Sequence, residues 1–348
     1  MIPSHSERLP GRHRARPALL RFALSYAASL WFCACGGTEP RAEHAPAARA
    51  LVTDRPAELL PAAGLRWLVR AKPRILLENE AFRDAIEALA PATRRSAFAS
   101  RIGVRLEDAE DAVIAGYDLA TVYGASLRTP EARRALTLFR EHLRGGGELV
   151  EAAPELSRVT GIAGEIPEAL VRVGERTVIV ARGDVTVARV VEAFALGKLR
   201  RSPAALRGAA LSRLPEARRD TLAILYVPGP FEGEWSRAAL GLLGVTEALS
   251  VSLSPGRARS LRVHLDAIGE FPNDAAERLK ATIEAVVASP TGSVLGLNHP
   301  IESPTVRVFP GRLELDVTLE SAPIAAGLRA AVSAEVSEIL NLPTVIPQ

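Results

Sequence analysis

The chain has 348 residues, of which 48% are hydrophobic, 24% charged and 5% aromatic, with 26 Gly and 25 Pro, a globular balance that excludes disordered and fibrous classes. Its formal charge of +3 sits at the start: residues 1–34 hold five Arg and one acid, Glu7, and so contribute +4, leaving −1 for the remainder. A body of that balance is not built to neutralise phosphodiesters, so no nucleic-acid partner is expected, and two Cys exclude a disulfide-stapled scaffold and a Cys-based metal cluster.

The basic segment Arg8–Arg21 precedes Phe22–Phe32, an uncharged apolar stretch of eleven residues. A membrane-crossing helix needs about 20, so residues 1–34 read as an export signal rather than a permanent span. Phe32-Cys33-Ala34-Cys35-Gly36 follows. These residues resemble the lipobox of bacterial lipoproteins, with an apolar residue three positions before the Cys and a small one directly before it. Cys35 fits; Cys33 does not, because bulky Phe32 would take the small position. Phe32 and Cys33 depart from the commoner Leu and small residue. The resemblance covers the first tenth of the chain. It implies that the Cys35 thiol is diacylglycerated, the signal cleaved and the new amino terminus acylated, making membrane lipid the partner of Cys35. Each buried methylene contributes about 0.8 kcal/mol to such an anchor. Gly36 stands where Asp would mark inner-membrane retention, so the resemblance implies an outer-membrane address in the cell envelope. Residues 35–54, rich in Ala, Pro and charge, read as a flexible tether.

From residue 55 onward the body shows an internal repeat. In the first half, residues 55–199, the pattern predicts a strand over Leu65–Val69 and a helix over Ala81–Leu89. Strands over Asp111–Gly116 and Leu119–Leu127 come next, then a helix opened by Thr129. A hairpin, Ala169–Val173 with Arg176–Ala181, leads into a helix over Val185–Leu199. The second half, residues 200–348, repeats the order: strand Thr221–Val227, helix Phe231–Leu240, and strands Ala248–Leu253 and Ser260–Ala267. A helix opened by Asn273, the hairpin Thr305–Phe309 with Arg312–Val317, and a helix over Pro323–Leu340 complete it. Corresponding elements are offset by 137 to 141 residues. Thr129 and Asn273 are the expected N-caps. The fold class is therefore α+β: a duplicated β-α-β-β-α-β-β-α unit, antiparallel-rich, with helices on one face, a ferredoxin-like variant. The boundary is expected near Leu199–Asp220. The body loosely resembles uncharacterised exported bacterial proteins of repeated α+β build, a likeness that implies no function.

Chemistry-bearing motifs are sparse. His142, His264 and His299 lack metal-ligand spacing and read as solvent-facing or singly hydrogen-bonded, with His299 in a loop. No Gly-x-Ser-x-Gly elbow or Ser-x-x-Lys occurs, and Ser293 reads as a turn or helix-start residue. Gly145-Gly146-Gly147 follows a helix and precedes a β-like run at Leu149-Val150, so it reads as a helix stop rather than a phosphate loop. Glu107, Asp108, Glu110 and Asp111 lack the alternation and Gly of a calcium loop and read as a solvated turn. With 40 Arg against 3 Lys, the pairs Arg133-Arg134, Arg200-Arg201 and Arg218-Arg219 carry little functional weight. Neither a metal nor a cofactor is expected. Val227–Trp235, with two Pro and two Gly displaying Phe231 and Trp235, is the candidate interaction loop, against the alternative that both rings plug the core. Three functions fit: a non-enzymatic envelope lipoprotein binding a partner protein or apolar ligand, a lipid or lipoprotein carrier or assembly factor, and a hydrolase with dispersed residues. A large apolar cavity favours the carrier, converging titratable groups an enzyme, and a flat exposed apolar patch a partner-binding role.

Overall fold

Alternating apolar and polar residues build twelve strands into one sheet. They are β1 (Leu65–Ala71), β2 (Ala109–Tyr117), β3 (Ala120–Leu127), β4 (Glu148–Ala153), β5 (Leu156–Ala163), β6 (Ile166–Val173), β7 (Thr177–Gly183), β8 (Ala223–Pro228), β9 (Thr246–Pro255), β10 (Ser260–Gly269), β11 (Thr305–Phe309) and β12 (Arg312–Glu320). The computed structural model describes residues 51–52, 55–199, 201–294, 297–298, 300–327 and 329. The export signal, Cys35, most of the tether, His299 and most of the 323–340 helix lie outside the described residues. No helix among the described residues is long and apolar enough to cross a membrane.

The strand order is β11-β12-β10-β9-β8-β1-β2-β3-β7-β6-β5-β4, and every neighbouring pair is antiparallel. The α+β class holds, whereas the split order of a ferredoxin-like unit, in which another strand separates two strands joined by a helix, is not seen among the described residues: β1 and β2, joined through a helical segment, are direct antiparallel neighbours. The sheet also contains the hairpin β4–β5, which the sequence showed only as the β-like run Leu149-Val150.

Seven of the helices are α1 (Pro73–Glu78), α2 (Glu80–Leu89), α3 (Ala92–Ile102), α4 (Ala132–His142), α5 (Thr186–Ala195), α6 (Glu234–Arg237) and α7 (Ala275–Ala288). They do not lie on one face. Leu170, Val178 and Val180 pack with Leu136 and Phe139 of α4, whereas Val171, Ile179 and Ala181 pack with Ala188 and Val191 of α5. Successive strand residues point to opposite faces, so α4 and α5 sandwich β6 and β7. This is why Ala169–Val173 of β6 is buried throughout. The register carries the α4 face through Val69, Leu225 and Val251 to Leu265 and Leu315, where α7 packs.

The opposite face changes character along the sheet. From Ala181 the register leads through Val122, Ala115, Leu68 and Tyr226, all buried apolar residues, to Ser250, Asp266 and Glu314. Apolar side chains lie under α5, polar ones beyond β8. The Leu199–Asp220 connection is not a free linker: Ala205, Leu211 and Leu214 are buried in the α5-side core.

Three local expectations change. Thr129 and Asn273 do not cap their helices, which begin at Ala132 and Ala275. The Glu175 carbonyl in the β6–β7 turn accepts from the Ala132 amide at 3.1 Å, and the Pro272 carbonyl from the Ala275 amide at 3.0 Å, so backbone supplies the acceptors a capping side chain would have offered. The helix expected over Phe231–Leu240 shortens to the single turn α6: Gly233, at φ 61°, stands before it, and Ala238 leaves it in an extended conformation ahead of Ala239 and Leu240 at positive φ of 52° and 54°.

Candidate functional site

Helix α5 is apolar along two stripes. Ala188, Val191 and Ala195, spaced at helical intervals, are buried against the sheet. Val187, Val190 and Phe194 form the neighbouring stripe and are half-buried. They face a cavity of about 720 Å³. Its other walls come from Pro61–Leu65, leading into β1, and from the 202–211 segment, with Pro228 and Gly229 at the end of β8. No charged side chain lines it among the described residues. Its volume falls in the range of small-molecule sites, about 300–1,000 Å³. The Tyr117 hydroxyl in its wall donates to the Pro61 carbonyl at 2.9 Å, and burial raises its pKa above the ordinary tyrosine range, keeping it neutral. A site so lined offers an apolar ligand burial with few specific polar contacts.

A polar cluster occupies the same face beyond β8. Asp266 Oδ2 lies 3.0 Å from Nε2 of His264, and Asp316 Oδ1 lies 2.8 Å from Nδ1. Each ring nitrogen thus meets a carboxylate, an arrangement that favours the imidazolium. The hydrogen bond to Asp266 chiefly raises the His264 pKa; burial opposes it and Asp316 adds to it. Burial would raise the Asp266 pKa, but hydrogen bonds from His264 and Arg312 outweigh it and hold that carboxyl below its ordinary value. Arg312 reaches Asp266 at 2.7 Å and also pairs with Glu314; Arg307 meets Asp316 at 3.2 Å. His264 was expected to be solvent-facing or singly bonded. It is instead buried and held at both nitrogens, because β9, β10 and β12 pair in a register that sets Asp316 opposite it.

The Ser252 hydroxyl, on the adjacent strand, donates to the backbone carbonyl of His264 at 3.4 Å, and among the described residues no hydroxyl or thiol is hydrogen-bonded to the ring. Among the described residues no group of His, Cys, Asp or Glu is arranged to hold a metal. The acidic run does not converge: Glu107 pairs with Arg95, Asp108 with Arg105 and Asp111 with Arg70. Gly145, Gly146 and Gly147 take positive φ between α4 and β4. His142 is exposed at the end of α4.

Of the candidate loop, Trp235 is 69% exposed and Phe231 half-buried, so the two rings do not form a shared core plug. Pro228 and Gly229 of the same loop line the cavity. Sequence reasoning missed the cavity wall from the 202–211 segment, whose alternation of small residues and short turns carries no periodic signal. It also missed the His264 cluster. Its only trace is charge at every second position, Arg262, His264 and Asp266 beside Arg312, Glu314 and Asp316. No protein family matches the chain, and neither a curated protein nor a solved structure matches it.

Proposed function

We propose that this chain is a lipid-anchored envelope protein, held to membrane through acylated Cys35 and directed to the outer membrane, whose body acts by binding an apolar ligand rather than by catalysis. The observation that carries the reading is the cavity of about 720 Å³ between α5 and the 202–211 segment, free of charged side chains among the described residues. A fatty-acyl chain or comparable apolar group suits such a lining, because each methylene it buries contributes about 0.8 kcal/mol. This favours the carrier role over docking of a folded partner protein. Engagement of both His264 nitrogens by carboxylates supports a structural rather than a general-base role for that ring.

The body is further read as an internal duplication. From the central β1–β8 pair the sheet runs outward as β1-β2-β3-β7-β6 on one side and β8-β9-β10-β12-β11 on the other, in matching chain order. The β4–β5 hairpin is then an addition to the first half. In this reading α5 of the first half, the 202–211 segment and the end of β8 together wall the cavity, and the same sheet face farther into the second half became the polar cluster.

The test uses the full chain with Cys35→Ala, titrated with the fluorescent fatty acid cis-parinaric acid, against the same chain with Val190→Arg. Saturable single-site binding, weakened at least tenfold by Val190→Arg, is expected. Tenfold is about 1.4 kcal/mol, the contribution of roughly two methylenes expelled from the cavity. Absence of saturable binding, or equal affinity in the two chains, would overturn the proposal.

A further inference from the structure

Strands β1 and β8 are antiparallel, with Ala71 opposite Ala223, so the end of β1 meets the start of β8. Arg55 and the segment Arg218–Thr221 converge on the same place, enclosing a cavity of about 220 Å³. This is the end of the strand pair opposite the apolar cavity, whose wall includes Leu65 and Pro228.

Five cationic side chains line it, Arg55, Arg70, Lys72, Arg218 and Arg219, against one carboxylate, Asp111. That carboxylate is committed: Arg70 grips both its oxygens, Nε to Oδ1 at 2.9 Å and Nη2 to Oδ2 at 2.9 Å. Arg218 leans toward His264 Nδ1 at 3.3 Å and Asp316 at 3.5 Å, so it shares its charge with the polar cluster. Lys72 donates to the Arg219 carbonyl at 3.4 Å, a neutral acceptor. Asp220 points away to Arg262 at 3.4 Å. Arg55 and Arg219 have no ion-pair partner among the described residues. Thr221 lines the same cavity, is 5% exposed, and its hydroxyl has no hydrogen-bond partner.

A concavity lined by one sign of charge concentrates potential and draws counter-ions. Guanidinium groups offer paired N–H donors in the fork geometry that matches phosphate oxygens. A single carboxylate would leave most of this charge unanswered, whereas a phosphate group brings more charge and more acceptor oxygens. We infer that this pocket at the β1–β8 seam is a phosphate-binding site, assembled by residues from both halves of the chain. Its volume, roughly that of seven waters at about 30 Å³ each, fits a phosphate with a small substituent. The inference stands on the charge arrangement and is independent of the apolar cavity.

The test uses the full chain in nonionic detergent, titrated calorimetrically with inorganic phosphate at constant ionic strength. A variant carrying Arg55→Gln and Arg219→Gln removes two exposed cations that hold no ion pair among the described residues, so its fold is preserved; thermal unfolding checks this. Saturable binding is expected, weakened at least tenfold in the double variant and by less than twofold in Arg237→Gln, an exposed arginine of α6. Dioctanoyl phosphatidic acid is compared with dioctanoyl glycerol to locate the source of the phosphate. Phosphatidic acid binding tenfold tighter than inorganic phosphate identifies a lipid headgroup, and equal or weaker binding a soluble phosphate; both support the site. No saturable binding of either phosphate compound, or a double variant within twofold of the parent, overturns it.

Discussion

His264 makes stability depend on pH in a calculable direction. Its neighbours are Asp266 on its own strand, Asp316 on β12 and Arg218 from the segment before β8. Arg312 and Arg307 lie behind the two carboxylates. The hydrogen bond to Asp266 raises the folded-state pKa above the ordinary value near 6.5. The stabilisation is therefore complete below about pH 6.5 and disappears as pH rises through the raised folded-state value. Between those limits the native state holds one proton more than the unfolded chain. Unfolding free energy then falls by at most about 1.4 kcal/mol per pH unit. Asp266, with its pKa lowered, contributes above about pH 3.9 and loses that contribution only as pH falls through its folded value. It therefore adds no slope in the neutral range. Urea unfolding of the Cys35→Ala chain, with and without His264→Gln, isolates the effect at pH 6, 7, 8 and 9, since the other titrating groups cancel in the difference. The stability advantage of His264 over Gln should shrink as pH rises. A difference that stays constant, or widens toward alkaline pH, would refute the reasoning.

Two further outcomes follow from the sequence and the fold. Cys35→Ala should move the protein from the membrane fraction to the soluble envelope extract, measured by fractionation and immunoblotting; unchanged, detergent-dependent fractionation would contradict the anchor. Gly183→Ala should cost about 1–3 kcal/mol in urea unfolding, because Gly183 holds φ of 93° and an added Cβ would run into the Leu119 carbonyl oxygen.

Strand positions were legible because the covered faces impose a period of two. Leu249, Val251 and Leu253 alternate with Ser250, Ser252 and Ser254, and the strand lies where the alternation says. Helix lengths were less legible. The segment beginning at Phe231 has helical composition, yet Ala239 and Leu240 take left-handed conformations that no propensity scale anticipates. The faces were misjudged for a related reason. Residues Ala169–Val173 are apolar at nearly every position, and such a run does not say whether one helix or two will cover it.

The sequence by itself determined the α+β class and the places of most strands, and it carries the lipobox-like stretch around Cys35. Periodicity and local motifs are properties of neighbouring residues, so they survive in one dimension. Tertiary structure alone decided the rest. It folded the 202–211 segment into the wall of the apolar cavity and set His264 between Asp266 and Asp316. It also gathered Arg55, Arg70 and Arg219 at one end of the central strand pair. Each of these joins residues distant in the chain, and only strand register and packing bring them within reach.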